Sequence, residues 1–213
     1  MPKKSLPIKK VKVLLVTPNL KIAGGVSQFN KMLLARSRSA ITPFTLSSAN
    51  KDHLPSLLKK LLFLYDLARF FFVVVFSRYD VIHLNPSLGK NAVTRDGFLC
   101  RMAKRMGKKV YIHWHGWNPD NEYLLDPPKV EFLKRTLFKA DHIKFLAASF
   151  QQKFRDSGYQ NMTSLGSTFV EDDVLKNVQL KESAPKPPFN ILFLSTISKN
   201  KGIYLALEAF HQL

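Results

Sequence analysis

Two histidines at the end of an apolar run are the first residues in this sequence that could do chemistry. His113 and His115 lie in the stretch VYIHWHGWN, and in a β-strand they would share one face while Trp114 takes the other. Two histidines could begin a metal site, but the sequence offers one cysteine and no further ligand set to complete it. We therefore expect no metal, and we interpret His115 as a hydrogen-bonding group in a cleft.

Two other polar clusters follow apolar runs. Gly24 and Gly25 precede a predicted helix, where paired glycines let the backbone approach a ligand and free N–H groups favour an anion. Such a pair is also typical of an ordinary turn. In HLNPSLGK, His83 lies within a predicted strand, and Asn85 and Ser87 lie at its end. His83 is compatible with a core position as well as with a polar site.

Strand-like and helix-like segments alternate around these clusters. The predicted strands are Val11–Val16, Ile41–Leu46, Val81–Leu84, Lys109–Trp114, His142–Ala147 and Met162–Leu165. The predicted helices are Val26–Arg36, Leu54–Ser77, Asn91–Met106, Lys129–Lys139 and Phe150–Asp156. This order predicts an α/β fold with a Rossmann-like, mainly parallel sheet and helices on both faces. Ligands of such sheets bind beyond the carboxyl ends of the strands, where the polar clusters lie.

The chain divides into a first domain, residues 1–175, a linker and a second segment. The linker, residues 176–188 (KNVQLKESAPKPP), has no apolar period and ends in prolines. Residues 189–213 begin again with an apolar run, Ile191–Leu194, followed by a basic loop and the start of a helix. We expect a buried strand there, and hence an incomplete second domain.

Charge and cysteine content restrict the partners and the compartment. The net charge is +18, and residues 1–110 contain 21 Lys and Arg against 4 Asp and Glu. Such a surface attracts phosphates, nucleic acid or anionic lipid. No nucleic-acid motif is visible, so nucleic acid is not expected. The single cysteine, Cys100, fits a reducing compartment, and the basic start MPKKSLPIKK has no secretion signal after it.

The predicted helix Leu54–Ser77 carries two apolar stripes. At 100° per residue, one stripe is expected to pack on the sheet; it comprises Leu54, Leu57, Leu58, Leu61, Tyr65, Ala68, Phe72 and Val75. The opposite stripe comprises Phe63, Leu67, Phe70 and Val74. The longest charge-free run of the whole helix is too short to span a bilayer. The second stripe is therefore either buried under neighbouring loops or laid on an anionic membrane surface.

These motifs in this order resemble glycosyltransferase family 4. The residues that carry the resemblance are GGV, RYDVIHLNPS, KKVYIHWHGW, ADHIKFLAASF and FNILFLSTISKNKGIYLALEAF. The resemblance implies a GT-B fold, in which two Rossmann-like domains face each other across a cleft. It also implies that this chain covers the acceptor-side domain and one strand–helix unit of the donor domain, with that domain's paired glutamates beyond residue 213. We therefore expect little transfer by this chain alone.

The resemblance assigns roles to individual residues. His115 would contact the transferred sugar as the catalytic candidate, and Gly24, Gly25 and Lys201 would hold the donor phosphates. Asn85, Ser87 and Trp117 would lie on the acceptor side of the cleft, although Trp117 could equally pack in the core. Thr196 stands where the family usually has an arginine.

The implied activity is sugar transfer with retention, from a nucleotide-sugar donor to a glycan or lipid-linked acceptor, in surface polysaccharide biosynthesis. It requires no metal and no cofactor, and it places the protein in the cytoplasm, peripheral on the inner face of the cell membrane. Two alternatives stay open. One is an inactive or split-enzyme fragment that works only with a partner chain, and the other is a basic nucleic-acid-binding protein.

Overall fold

The fold is that of a computed structural model, which describes residues 11–22, 24–49, 54–169, 176, 190–195, 197 and 199–212. It divides into two compact units, Met1–Glu171 and Asp172–Leu213. The predicted linker, apart from residue 176, lies outside the described residues, and so does Thr196.

The first unit is built on a six-stranded parallel sheet. The strands are β1 (Lys12–Thr17), β2 (Ala40–Thr45), β3 (Val81–Leu84), β4 (Lys109–Trp114), β5 (His142–Phe145) and β6 (Met162–Leu165). Their order across the sheet is β2-β1-β3-β4-β5-β6. The predicted parallel α/β sheet is confirmed. Because all strands run the same way, the segments that follow β1, β3 and β4 meet at one edge.

Helices flank the sheet. They are α1 (Gly25–Arg36), α2 (Ser56–Phe76), α3 (Lys90–Arg105), α4 (Val130–Arg135) and α5 (Ala148–Asp156), with 3₁₀ helices at Pro119–Leu125 and Leu137–Lys139. The neighbouring residues His113 and Trp114 of β4 show that both faces are covered. His113 contacts Phe29 of α1, whereas Trp114 contacts Phe154 of α5. Successive strand residues point to opposite faces, so α1 and α5 lie on opposite sides.

The predicted helix Lys129–Lys139 is not continuous. The backbone of Thr136 leaves the helical region, at φ −130° and ψ −95°, and separates α4 from the 3₁₀ helix that follows. Its hydroxyl donates back to the Phe132 carbonyl at 2.6 Å, a bond that competes with helix propagation. The break carries Leu137 and Phe138 into the core. Gly97 of α3 lies against this corner, where a Cβ atom would come 2.9 Å from the Phe132 ring.

The face of α2 predicted to pack on the sheet is the exposed one. Leu57 is 69% exposed and Phe72 is 57% exposed, whereas Phe70 is fully buried, with its ring centroid 5.6 Å from that of Phe44. That prediction was wrong, and the buried side of α2 also carries the carboxylate of Asp66. That carboxylate is buried and accepts hydrogen bonds from the Ser47 and Ser48 amides at 2.9 and 2.8 Å, so its burial is compensated.

The second unit has a helix, Ile203–His211, and no strand among its described residues. The predicted strand Ile191–Leu194 is therefore wrong. A strand forms through hydrogen bonds to a neighbouring strand, and an apolar run does not supply that neighbour. Leu192 and Leu194 are 80% and 88% exposed. Gly202, at φ 79°, precedes the helix in a left-handed conformation that favours glycine.

Candidate functional site

The candidate site lies at the carboxyl edge of the three neighbouring strands β1, β3 and β4. Segments that leave these strands carry five of the residues predicted from the sequence, which are Gly24, Gly25, Asn85, Ser87 and His115. Trp117 follows His115 on the same connection, within the first unit. Lys201 belongs to the second unit.

Asn85 links β1 to the imidazole of His115. Its side-chain nitrogen donates to the Val16 carbonyl at 3.0 Å, so its oxygen is the atom left to face His115. That oxygen lies 2.9 Å from His115 Nε2. Since an amide oxygen only accepts, Nε2 carries the proton and donates. In the neutral ring, Nδ1 then keeps its lone pair and acts as a hydrogen-bond acceptor.

His115 is neutral at physiological pH. Burial, followed by the positive charge of Lys144, lowers the pKa of His115 to about 4. No hydrogen-bond partner of Nδ1 is found within the part of the chain that the structure describes. A neutral ring with its Nε2–H fixed on Asn85 therefore presents an acceptor nitrogen, which suits a ligand hydroxyl.

His113 and His83 are core residues of the two strands, β4 and β3, that lead to the candidate site. The rings of His113 and His115 lie 4.0 Å apart, on one face of the chain as predicted, and Phe29 contacts both. His83 is buried and contacts Tyr111. The structure thus favours the core interpretation of His83. Burial, followed by the electrostatic influence of the His115 ring and of Lys144, lowers the pKa of His83 to about 3.

The loops after β3 and β4 are joined by backbone hydrogen bonds. The His115 amide donates to the Pro86 carbonyl at 3.0 Å, and the Leu88 amide donates to the Gly116 carbonyl at 2.9 Å. Gly116 is required here, because a Cβ atom would lie 2.9 Å from Cβ of Ser87. The pairing holds Ser87 beside Gly116 and fixes the two loops to each other next to His115.

Trp117 is half-buried by packing. Its ring stacks on Phe150 with centroids 4.4 Å apart, and its Nε1–H donates to Glu122 at 2.7 Å. Lys153 pairs with the same carboxylate, and these two hydrogen bonds hold the pKa of Glu122 below its usual value. The ring face on Phe150 is therefore closed to a sugar.

The amino end of α1 offers unoccupied backbone donors. Gly24 caps the helix without a side-chain hydrogen bond, and the first turn contains no acidic residue. A Cβ atom on Gly24 or Gly25 would meet nothing within 4 Å, so packing inside the chain does not demand either glycine. Phe29, one turn further, contacts His115, which places this end of α1 near the imidazole.

Lys201 closes the 3₁₀ helix Lys199–Lys201 and is exposed. Within the described ranges, no group of three or more His, Cys, Asp or Glu is arranged to hold a metal ion. Sequence reasoning missed Lys144 and Glu122. The alternation in HIKF puts His142 and Lys144 on one face of β5, which was an available signal for the lysine. Glu122 had none, because its role depends on a 3₁₀ helix packed under Trp117.

No protein-family model matches the chain, and no curated protein matches it by sequence.

Proposed function

We propose that this chain forms the acceptor-side part of a retaining glycosyltransferase of the family 4 type, with a nucleotide-sugar donor and a glycan or lipid-linked acceptor. The observation that carries the proposal is the Asn85–His115 pair. It holds a neutral imidazole with an acceptor nitrogen at the ligand-binding edge of a parallel sheet. This arrangement suits contact with a sugar hydroxyl better than it suits acid–base catalysis by an imidazolium.

The other residues have consistent roles in such a transfer. The donor's bond from the anomeric carbon to a phosphate oxygen breaks, and a bond to an acceptor hydroxyl forms. Negative charge then grows on the leaving diphosphate, which the free N–H groups at Gly24 and Gly25 would stabilise. Ser87 would lie on the acceptor side.

His115→Ala in the full-length gene product is expected to lower the turnover of sugar transfer by about 100-fold, while the thermal midpoint changes little. The reason is that alanine removes a ligand contact but not a core group. The measurement is release of nucleoside diphosphate from a panel of nucleotide sugars with glycan and lipid-linked acceptors. His142→Ala is the matched control, since His142 begins β5 at the opposite edge and bonds Ser164.

Two outcomes would contradict this assignment. One is a wild-type protein that turns over no donor in the panel. The other is a His115→Ala protein as active as His142→Ala but far less stable, which would make His115 a structural group.

The exposed face of α2 supports association with an anionic membrane. This face comprises Leu57, Leu58, Leu61, Leu64, Tyr65, Phe71, Phe72, Val75 and Phe76. Lys60 and Arg78 are exposed near its two ends. Across the described part of the chain, no helix is both long enough and apolar enough to cross a bilayer. We propose that α2 lies in the interface with its exposed apolar face towards the lipid, close to a lipid-linked acceptor.

Phe72→Ser with Phe76→Ser is expected to lower binding to phosphatidylglycerol-containing vesicles by about tenfold or more, because two exposed rings lose their apolar contact with the lipid. Vesicle flotation at low salt measures the bound fraction, which should fall as salt is added. Met162→Ser with Leu165→Ser is the control, since these exposed apolar residues lie on β6. A wild-type chain that does not float, or equal losses in both pairs, would exclude this surface.

A second candidate function is a split enzyme that works only with a partner chain. It is favoured by the apolar residues that the second unit exposes, among them Ile191, Leu192, Leu194, Leu205 and Phe210. An exposed apolar surface of this kind is typical of an interface. Sugar transfer by the purified chain alone would contradict the split enzyme, whereas transfer that appears only after a partner protein is added would favour it.

A further inference from the structure

A second cleft, unrelated to the His115 site, has six cationic residues among the ten that line it. It has a volume of about 860 Å³, and we call it the basic cleft. Its charged lining residues are Arg101, Lys104, Arg105, Lys134, Arg135 and Lys139, and Gln160 and Asn161 contribute polar groups. Its volume falls within the range of pockets that hold small ligands, roughly 300–1,000 Å³.

The positive charge of the basic cleft is not balanced by the protein. Lys104 pairs with Asp141 at 2.7 Å, and Lys134 pairs with the exposed Glu131 at 2.8 Å. For Arg101, Arg105, Arg135 and Lys139, no ion-pair or hydrogen-bond partner is found among the residues that the structure describes. Four uncompensated cations around one cavity repel each other, so an anion between them is favoured.

Helix capping does not account for these side chains. Basic residues are common in the last turn of a helix, where they neutralise free carbonyls. Here three carbonyls in the last turn of α3 already accept backbone hydrogen bonds. The Met106 amide donates to Met102, the Gly107 amide to Lys104, and the Lys108 amide to Ala103. In the described part of the chain, the side chains of Arg101 and Arg105 make no hydrogen bond to a carbonyl.

The basic cleft lies at the amino edge of the sheet. Its residues come from the carboxyl ends of α3 and α4, from the 3₁₀ helix before β5 and from the turn before β6. Each of these segments leads into a strand, whereas His115 follows the carboxyl end of β4. The two sites therefore lie on opposite edges, and a ligand in one does not occupy the other.

We propose that the basic cleft binds a compact anion with several phosphate groups. The planar guanidinium groups of Arg101, Arg105 and Arg135 provide paired donors that match phosphate oxygens, and the lysines add point charges. The amide side chain of Gln160 supplies a further donor, whereas the Asn161 amide already donates to the Phe138 and Ala140 carbonyls. The phosphates could belong to a free polyphosphate or to a lipid headgroup, which share this chemistry.

Calorimetric titration with inorganic tripolyphosphate tests the proposal. Arg101→Gln with Arg135→Gln is expected to weaken binding by about tenfold or more, because two charge-assisted contacts are lost. Arg36→Gln with Arg38→Gln removes the same charge from the end of α1 and should change binding little. These side chains are not core residues, so circular dichroism should show both variants folded. Equal weakening in both pairs would mean diffuse attraction and would overturn the proposal.

A second arm identifies the source of the phosphates. Vesicles that contain cardiolipin, whose headgroup carries two phosphates, are added to the Phe72→Ser, Phe76→Ser protein, in which the exposed α2 face is impaired. Vesicle binding that depends on Arg101 and Arg135, with weak tripolyphosphate binding, assigns the cleft to a lipid headgroup, and the reverse assigns it to a free polyphosphate. Binding of neither probe, or cleft-dependent binding of duplex DNA alone, would show that the proposal is wrong. No outcome depends on sugar transfer.

Discussion

Phe70→Ala is expected to lower the free energy of unfolding by about 3–5 kcal/mol, whereas Phe72→Ala is expected to change it by less than about 1 kcal/mol. The two residues are neighbours on α2 but lie on opposite sides. Phe70 is fully buried and meets Phe44 edge to face, so its removal leaves a cavity in the core. Phe72 is mostly exposed, and its ring stacks on the exposed Phe76 at 6.1 Å.

Urea unfolding, followed by far-ultraviolet circular dichroism, measures both changes. The comparison also decides how membrane binding must be tested. Serine at Phe63 and Phe70 would destabilise the first unit. A loss of vesicle binding in that variant would then report on folding and not on contact with the lipid. Serine at Phe72 and Phe76 changes only the exposed face. If Phe72→Ala proved as destabilising as Phe70→Ala, the orientation of α2 described above would be wrong.

Sequence periodicity alone could not predict which side of α2 packs in the core. Both stripes are apolar, so the helical period fixes the two faces without deciding between them. The deciding contact is the burial of Asp66 against the Ser47 and Ser48 amides. A lone acidic residue is typical of a solvated face, and only the three-dimensional position of the loop after β2 makes this one a core residue.

Most of the sheet could be predicted, because its strands are short apolar runs between turn residues. The bounds of β3, β4 and β6 match the prediction at both ends, and those of β1, β2 and β5 differ by one or two residues. Local patterns failed at two places. Thr136 divides a helix by bonding back to Phe132, and Ile191–Leu194 has no neighbouring strand among the described residues of its own unit.

The sequence indicated which residues form the candidate site, but it did not indicate the hydrogen bonds that connect them. Strand ends identified Asn85 and His115, and the parallel sheet brings them together. The bond from Asn85 to the Val16 carbonyl depends on β3 lying between β1 and β4, which the sequence alone does not specify. That bond changes the role of Asn85 from a free polar group to one that fixes the orientation of His115.

Acidification from pH 7 to pH 5 is expected to destabilise the first unit strongly through His83 and His113. Both side chains are buried, and Nε2 of each has no hydrogen-bond partner among the residues that the structure describes. Burial, and next the electrostatic influence of the His115 ring and then of Lys144, lowers the pKa of both to about 3. Protonating either ring would place an unpaired charge in the core.

The direction follows from proton linkage. An unfolded histidine has a pKa near 6.5, so below that value the unfolded chain takes up protons that the folded chain does not. The free energy of unfolding is therefore highest above pH 6.5 and falls as the pH drops towards 3. Each of these two histidines removes about 1.4 kcal/mol per pH unit, so together they remove roughly 4 kcal/mol by pH 5. His115, whose pKa is lowered to about 4, adds to the slope in the same direction.

Urea unfolding at pH 7.5, 6 and 5 measures this slope. Carboxylates contribute little in this window, since the pKa of Asp141 is lowered from 3.8 by Lys104, Lys109 and the Val110 amide against the opposing effect of burial. His113→Gln should reduce the slope by about the share of one histidine, because glutamine does not titrate. A slope that stays the same in His113→Gln, or a first unit equally stable at pH 7.5 and pH 5, would mean that these imidazoles are not held neutral in the core.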